Sequence, residues 1–105
     1  MAEIISDKKG ADIIVLDTGK VSTLSDYFVI ATVESERQAQ AVVDEIEKKI
    51  KLHRKRPLAV DGTIDSGWVL LDYGSVIAHI FNPGMRDYYN LEDLWSSAPV
   101  VVRMQ

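Results

Sequence analysis

Trp68-Val69-Leu70-Leu71-Asp72-Tyr73-Gly74-Ser75-Val76-Ile77-Ala78-His79-Ile80-Phe81 is two apolar runs separated by a polar break. Each run is long enough for a strand and too short for an ordinary helix. The break holds Asp72, Tyr73 and Gly74, and glycine reaches the positive φ that tight hairpin turns require. The segment predicts an antiparallel hairpin in the middle of a sheet. Side chains alternate across a strand, so Trp68, Leu70 and Asp72 share one face, and Val69, Leu71 and Tyr73 the other. Both sets are largely apolar. That predicts a sheet covered on both sides, or covered on one side and used for binding on the other.

Working outward, Asp12–Asp17 and Tyr27–Thr32 read as two further strands, with a turn at Thr18-Gly19-Lys20 between them. Met1–Lys9 reads as a turn or two of helix ending at Gly10. Ser35-Glu36-Arg37-Gln38 has the form of a capping box, with Ser35 accepting from the Gln38 amide and Gln38 reaching back to the Ser35 amide. In the helix it starts, Ala39, Val42, Val43, Ile46 and Ile50 form one apolar stripe. Its end is predicted within Lys51–His53, before Pro57.

Leu58-Ala59-Val60 is a short strand candidate, and 61–67 is a loop rich in turn residues. Beyond the hairpin, Asn82-Pro83-Gly84 reads as a stop, Met85–Tyr89 as a short turn or helix, and Leu91–Trp95 as one helical turn N-capped by Asn90. Val100-Val101-Val102 is an edge-strand candidate. The order predicts an α/β fold: one domain over residues 1–105, with a mixed sheet of about five strands flanked by helices.

A chain of 105 residues is long enough to build one core without staples. It contains no cysteine, which removes disulfides, thiolate metal sites and a cysteine nucleophile. No apolar run approaches 18 residues and no signal-peptide pattern opens the chain, so a cytoplasmic protein with no membrane partner is expected. Charge is unevenly placed. The run 48–56 holds six cations (Lys48, Lys49, Lys51, Arg54, Lys55 and Arg56) and no anion. The rest of the chain sets six cations against all 16 anions, a balance of −10. An acidic body favours a basic partner, while the basic run, and Arg54, Lys55 and Arg56 above all, is a candidate RNA contact.

Catalytic and metal patterns are weak. His53 and His79 are the only histidines and lack metal-ligand spacing, so His79 reads as a packed sheet residue. Gly19-Lys20 lacks the spaced glycines and the hydroxyl residue of a phosphate loop. Asp61, Asp65 and Asp72 read as solvated loop carboxylates rather than a cation site. No nucleophile, base and orienter assemble. The expectation is a binding protein with no catalytic residue, no cofactor and no metal.

Three blocks carry a family resemblance. Leu24-Ser25-Asp26-Tyr27-Phe28-Val29-Ile30-Ala31-Thr32 followed by Ser35-Glu36-Arg37-Gln38, the Trp68–Phe81 segment, and Arg86-Asp87-Tyr88-Tyr89-Asn90-Leu91-Glu92-Asp93-Leu94-Trp95 resemble, in order, blocks of the Iojap family, the ribosomal silencing factors. The resemblance implies a nucleotidyltransferase-like core without an established active site, and a homodimer. It also implies docking on the large ribosomal subunit, against its fourteenth protein, so that subunit joining is blocked and translation falls in starvation or slow growth. With that partner, the contact candidates are Trp68, Leu71, Asp72, Tyr73 and Ser75, followed by Arg86, Tyr88 and Tyr89. Ser75 stands where the family block usually has Asp, which removes one anion from the expected contact face. The competing readings are an enzyme of nucleotidyltransferase type and an RNA-binding adaptor using the run 48–56.

Overall fold

The segments richest in β-branched and aromatic residues pair into one sheet. The computed structural model describes residues 1–19, 21, 23, 25–52 and 59–104. Its strands are β1 (Ala11–Asp17), β2 (Tyr27–Thr32), β3 (Ala59–Asp61), β4 (Trp68–Asp72), β5 (Val76–Phe81) and β6 (Val100–Met104). They lie in the order β3-β4-β5-β2-β1-β6. The β2–β5 pair is parallel and the other pairs are antiparallel, so the sheet is mixed. Six strands stand where about five were expected. The addition is the Val100 segment, which docks as an edge strand on β1.

The hairpin forms as the sequence predicts. β4 and β5 run in unbroken register from Trp68↔Phe81 to Asp72↔Ile77. At the turn Gly74 takes φ 85° and donates its amide to Asp72 Oδ1 at 2.8 Å. Asp72 is therefore a turn former, whatever else it does.

Helices α1 (Ala2–Asp7) and α2 (Glu36–Lys51) cover one face of the sheet. The Ser35 side chain accepts from the Gln38 amide at 3.1 Å. The reciprocal bond differs from expectation: Gln38 Oε1 accepts from the Glu34 amide at 2.7 Å, one residue earlier. Gln38 Nε2 donates to the carbonyls of Lys8 and Lys9, so one side chain fastens the start of α2 to the end of α1. Val42, Val43 and Ile46 on α2 bury Val29, Ala31, Val69, Leu71, Ala78 and Ile80 of the sheet.

The opposite face carries a second core of Ile14, Leu16, Phe28, Ile30, Phe81 and Ala98. Its cover is α3 (Pro83–Tyr89) and α4 (Leu91–Leu94). Asn82, expected to stop the strand, also starts α3: its side chain accepts from the Met85 amide, and Pro83 occupies the first turn. Asn90 does not cap α4 with a side-chain acceptor as expected. It takes a left-handed φ of 46°, closing α3 and opening α4 in one residue, and its side-chain amide donates to Asp93. Seven and four residues of helix cannot cover what the 16 residues of α2 cover on the far side. Leu70, Asp72 and Ile77 are therefore left half-buried at the β3 end of this second face. No described helix is long and apolar enough to cross a membrane.

Candidate docking face

The open strip begins at a ring cluster. Trp68, at the start of β4, lies on Phe81 with ring centroids 4.9 Å apart and on Tyr89 at 4.6 Å. Its indole N–H donates to His79 Nδ1 at 3.2 Å. An accepting Nδ1 carries no proton, which leaves the proton of the neutral ring on Nε2. That atom is buried with no hydrogen-bond partner. Phe28 meets the imidazole edge-on at 4.8 Å. Burial among these rings lowers the His79 pKa to about 4, so the ring is neutral near pH 7.

From Trp68 the strip continues along β4 through Leu70 to Asp72, with Ile77 beside them on β5. Asp61 on β3 stands opposite Leu70. On α3, Tyr88 is 78% exposed and packs edge-on against Tyr89. The exposed Asp61 on β3 is the acid beside the strip, whereas Asp87 on α3 faces a separate hollow with Asp12, Thr32 and Arg103. An apolar strip carrying the Asp61 and Asp72 carboxylates is complementary in charge to a basic surface.

The contact candidates from the sequence do not fall together. Trp68 and Asp72 lie on the open face. Leu71 and Tyr73 lie on the other side of β4. Leu71 is 0% exposed in the core beneath α2, and no partner reaches it without unfolding the sheet. The Tyr73 ring packs against the same core, and its hydroxyl is buried without a hydrogen-bond partner. Burial, with the Glu47 charge second, raises its pKa. Period-two alternation dictates this split, so a contact set drawn from both faces of one strand was inconsistent with its own geometry.

Ser75 is exposed at the hairpin tip, and its carbonyl accepts from the amides of Asp26 and Tyr27. It stands at the far end of the hairpin from Trp68. Arg86 is not a free contact either. It is 9% exposed and bonds Glu92 at 2.9 Å, Thr32 Oγ1 at 2.8 Å and the carbonyl of Asp12. It ties α3, α4, β2 and the bulge in β1 into one unit. Tyr88 and Tyr89 remain on the surface.

A family model described as "Ribosomal silencing factor during starvation" matches residues 1–105. The chain belongs to the ribosomal silencing factor family. It is similar to "Ribosomal silencing factor RsfS" of Bacillus subtilis, 37% identical over 99 residues, covering 94% of this chain and 84% of that one. It is also 33% identical over 99 residues to "Protein Iojap, chloroplastic" of Arabidopsis thaliana, covering 93% of this chain and 41% of that one. A crystal structure of a Chromobacterium violaceum protein superposes with a TM-score of 0.84 at 38% identity, covering 90% of this chain and 78% of that one. A Bacillus halodurans structure gives a TM-score of 0.81 at 34% identity, covering 95% and 90%.

In this member of the silencing factor family the remaining sequence candidates fall into two groups. Arg54, Lys55, Arg56 and His53 lie outside the described residues. The three loop carboxylates are dispersed: Asp72 serves the turn, Asp65 accepts from the Thr63 hydroxyl, and Asp61 faces solvent. Among the described residues, no three metal-ligating groups of the His, Cys, Asp or Glu type converge. Leu70, Ile77 and Asp61 share the open face with Trp68 but are not among the contact candidates drawn from the sequence. Leu70 was legible, because it shares a face with Trp68 and Asp72. Asp61 was not, because its place depends on a β3 register that three residues do not specify locally.

Proposed function

We propose that this silencing factor docks on the large ribosomal subunit, against its fourteenth protein, and prevents joining of the small subunit by occupying the shared face. The homologues are named as silencing factors, which supports a regulatory role. The observation that carries the docking reading is the strip Trp68–Leu70–Asp72–Ile77, left half-buried on the sheet face that α3 and α4 only partly cover, with the exposed Asp61 opposite Leu70. A rigid ring cluster behind an apolar strip suits an interface whose energy concentrates in a few anchors. No chemical step is required. Binding alone shifts the equilibrium between free and joined subunits by mass action. The protein acts in the cytoplasm, where the subunits are, and as a homodimer. Ser75 leaves the hairpin tip without the anion usual in the family, so the β3–β4–α3 end contributes the larger share of the contact.

The test is co-sedimentation with isolated large subunits. Leu70→Arg combined with Tyr88→Ala alters the strip and the exposed ring without touching the core beneath α2. The pair is expected to weaken subunit binding by roughly a hundredfold, about 2.7 kcal/mol at two contacts, with an unchanged circular dichroism spectrum. Retained binding by this variant would place the interface elsewhere.

A further inference from the structure

A cleft of about 220 Å³ opens between β3, β4 and α3, beside the docking strip. This is below the roughly 300–1,000 Å³ of sites that take drug-sized ligands, and suits a single long side chain. Its walls are the carbon surfaces of Trp68, Leu70, Met85 and Tyr89. Two polar side chains reach it. The Ser66 hydroxyl is already committed to the Thr63 and Trp68 backbones. The Asp61 carboxylate is exposed, and among the described residues it has no hydrogen bond and no cation within 4 Å. The turn that carries it is fixed: a Cβ on Gly62, which takes φ +80°, would lie 2.1 Å from the Trp68 carbonyl oxygen. Asp61 is therefore held close against β4.

We propose that this cleft seats one arginine or lysine side chain of the docking partner, its aliphatic stem along Leu70 and Met85 and its cationic head on the Asp61 carboxylate. The proposal rests on the docking reading above and names the chemistry recognised at that face. Covering the cleft with an uncharged side chain would strip water from Asp61 with nothing in return, which is costly. A cationic head replaces that water, and the Tyr89 ring adds a π face to which a guanidinium is attracted. A long basic side chain with an apolar stem fits both walls at once.

Two measurements on the full chain test this. In the first, ¹⁵N-labelled protein is titrated with N-acetylarginine amide and, separately, with N-acetylnorleucine amide. The arginine compound is expected to give saturable shifts at the Leu70 amide and the Trp68 indole N–H, lost in Asp61→Asn; the norleucine compound is not. Equal shifts from both would make the cleft a plain apolar pocket, and shifts from neither would leave it without this ligand; either result overturns the proposal. In the second, Asp61→Asn is expected to weaken binding to large subunits by about tenfold or more, while Asp44→Asn on α2 stays within twofold of wild type. Wild-type binding with Asp61→Asn unimpaired would overturn the cleft assignment alone. Failure of the wild-type chain to bind subunits would remove the docking reading, and the partner named here with it.

Discussion

His79 shows how one residue links burial to charge. Its folded pKa of about 4 lies below the 6.5 of an exposed histidine. The unfolded chain therefore binds the proton more readily than the folded chain between those values, and stability rises with pH across the same window. The contribution is fully present above about pH 6.5 and is lost as pH falls toward 4, with a total on the order of 3 kcal/mol. Urea unfolding at pH 7 and pH 4.5 should show this loss, and His79→Gln should lose less over the same interval. An identical pH dependence in the variant would mean that the imidazole is already hydrated in the folded state. The sequence placed His79 correctly as a packed sheet residue, because it alternates with Ile77 and Phe81. It did not show that Trp68 would bond it, since that contact needs the β4–β5 register to put Leu70 opposite His79 and Trp68 opposite Phe81.

The element that depends most on a single side chain is the α3–α4 pair. These helices are too short to persist undocked, and Arg86 anchors them through Glu92, Thr32 and the Asp12 carbonyl. Asp12 itself takes φ 47° in a bulge, a conformation unusual for an L residue that the Arg86 bond helps to hold. Arg86→Met should cost about 2–3 kcal/mol, the scale of lost charge-assisted hydrogen bonds. It should also raise hydrogen exchange selectively in α3, α4 and the start of β1, with α2 unchanged. Uniform exchange changes across α2 would instead make Arg86 part of global stability. Elements with strong local signals were legible: the hairpin, the Ser35 cap and the α2 stripe each appear where the spacing predicts. Asn82 stops β5 as expected, but its second role as the cap of α3 and the left-handed Asn90 were not legible, because in each case a residue that ends one element also begins the next. The role of Arg86 was misjudged because its partners lie 54 and 74 residues away, beyond any local pattern.

At the scale of the molecule, the layers set the function. The long α2 buries the centre of one face, and two short helices cover only part of the other, which leaves the Trp68–Leu70–Asp72–Ile77 strip with Asp61 beside it on an otherwise acidic chain. Membership of the silencing factor family gives that strip a context, and steric occupation gives it a consequence. The sheet's mixed character was readable from element order, and its sixth strand from the apolar run at Val100. How much of the second face stays uncovered was not readable, since it depends on how far α3 and α4 reach across the sheet. The most direct test is light scattering of ribosomal subunits on mixing, after the large subunits have been incubated with saturating protein. The expected result is a suppressed rise in scattering that is restored by Leu70→Arg with Tyr88→Ala. A full, normal rise in the presence of saturating wild-type protein would contradict blocking by occupation of the joining face.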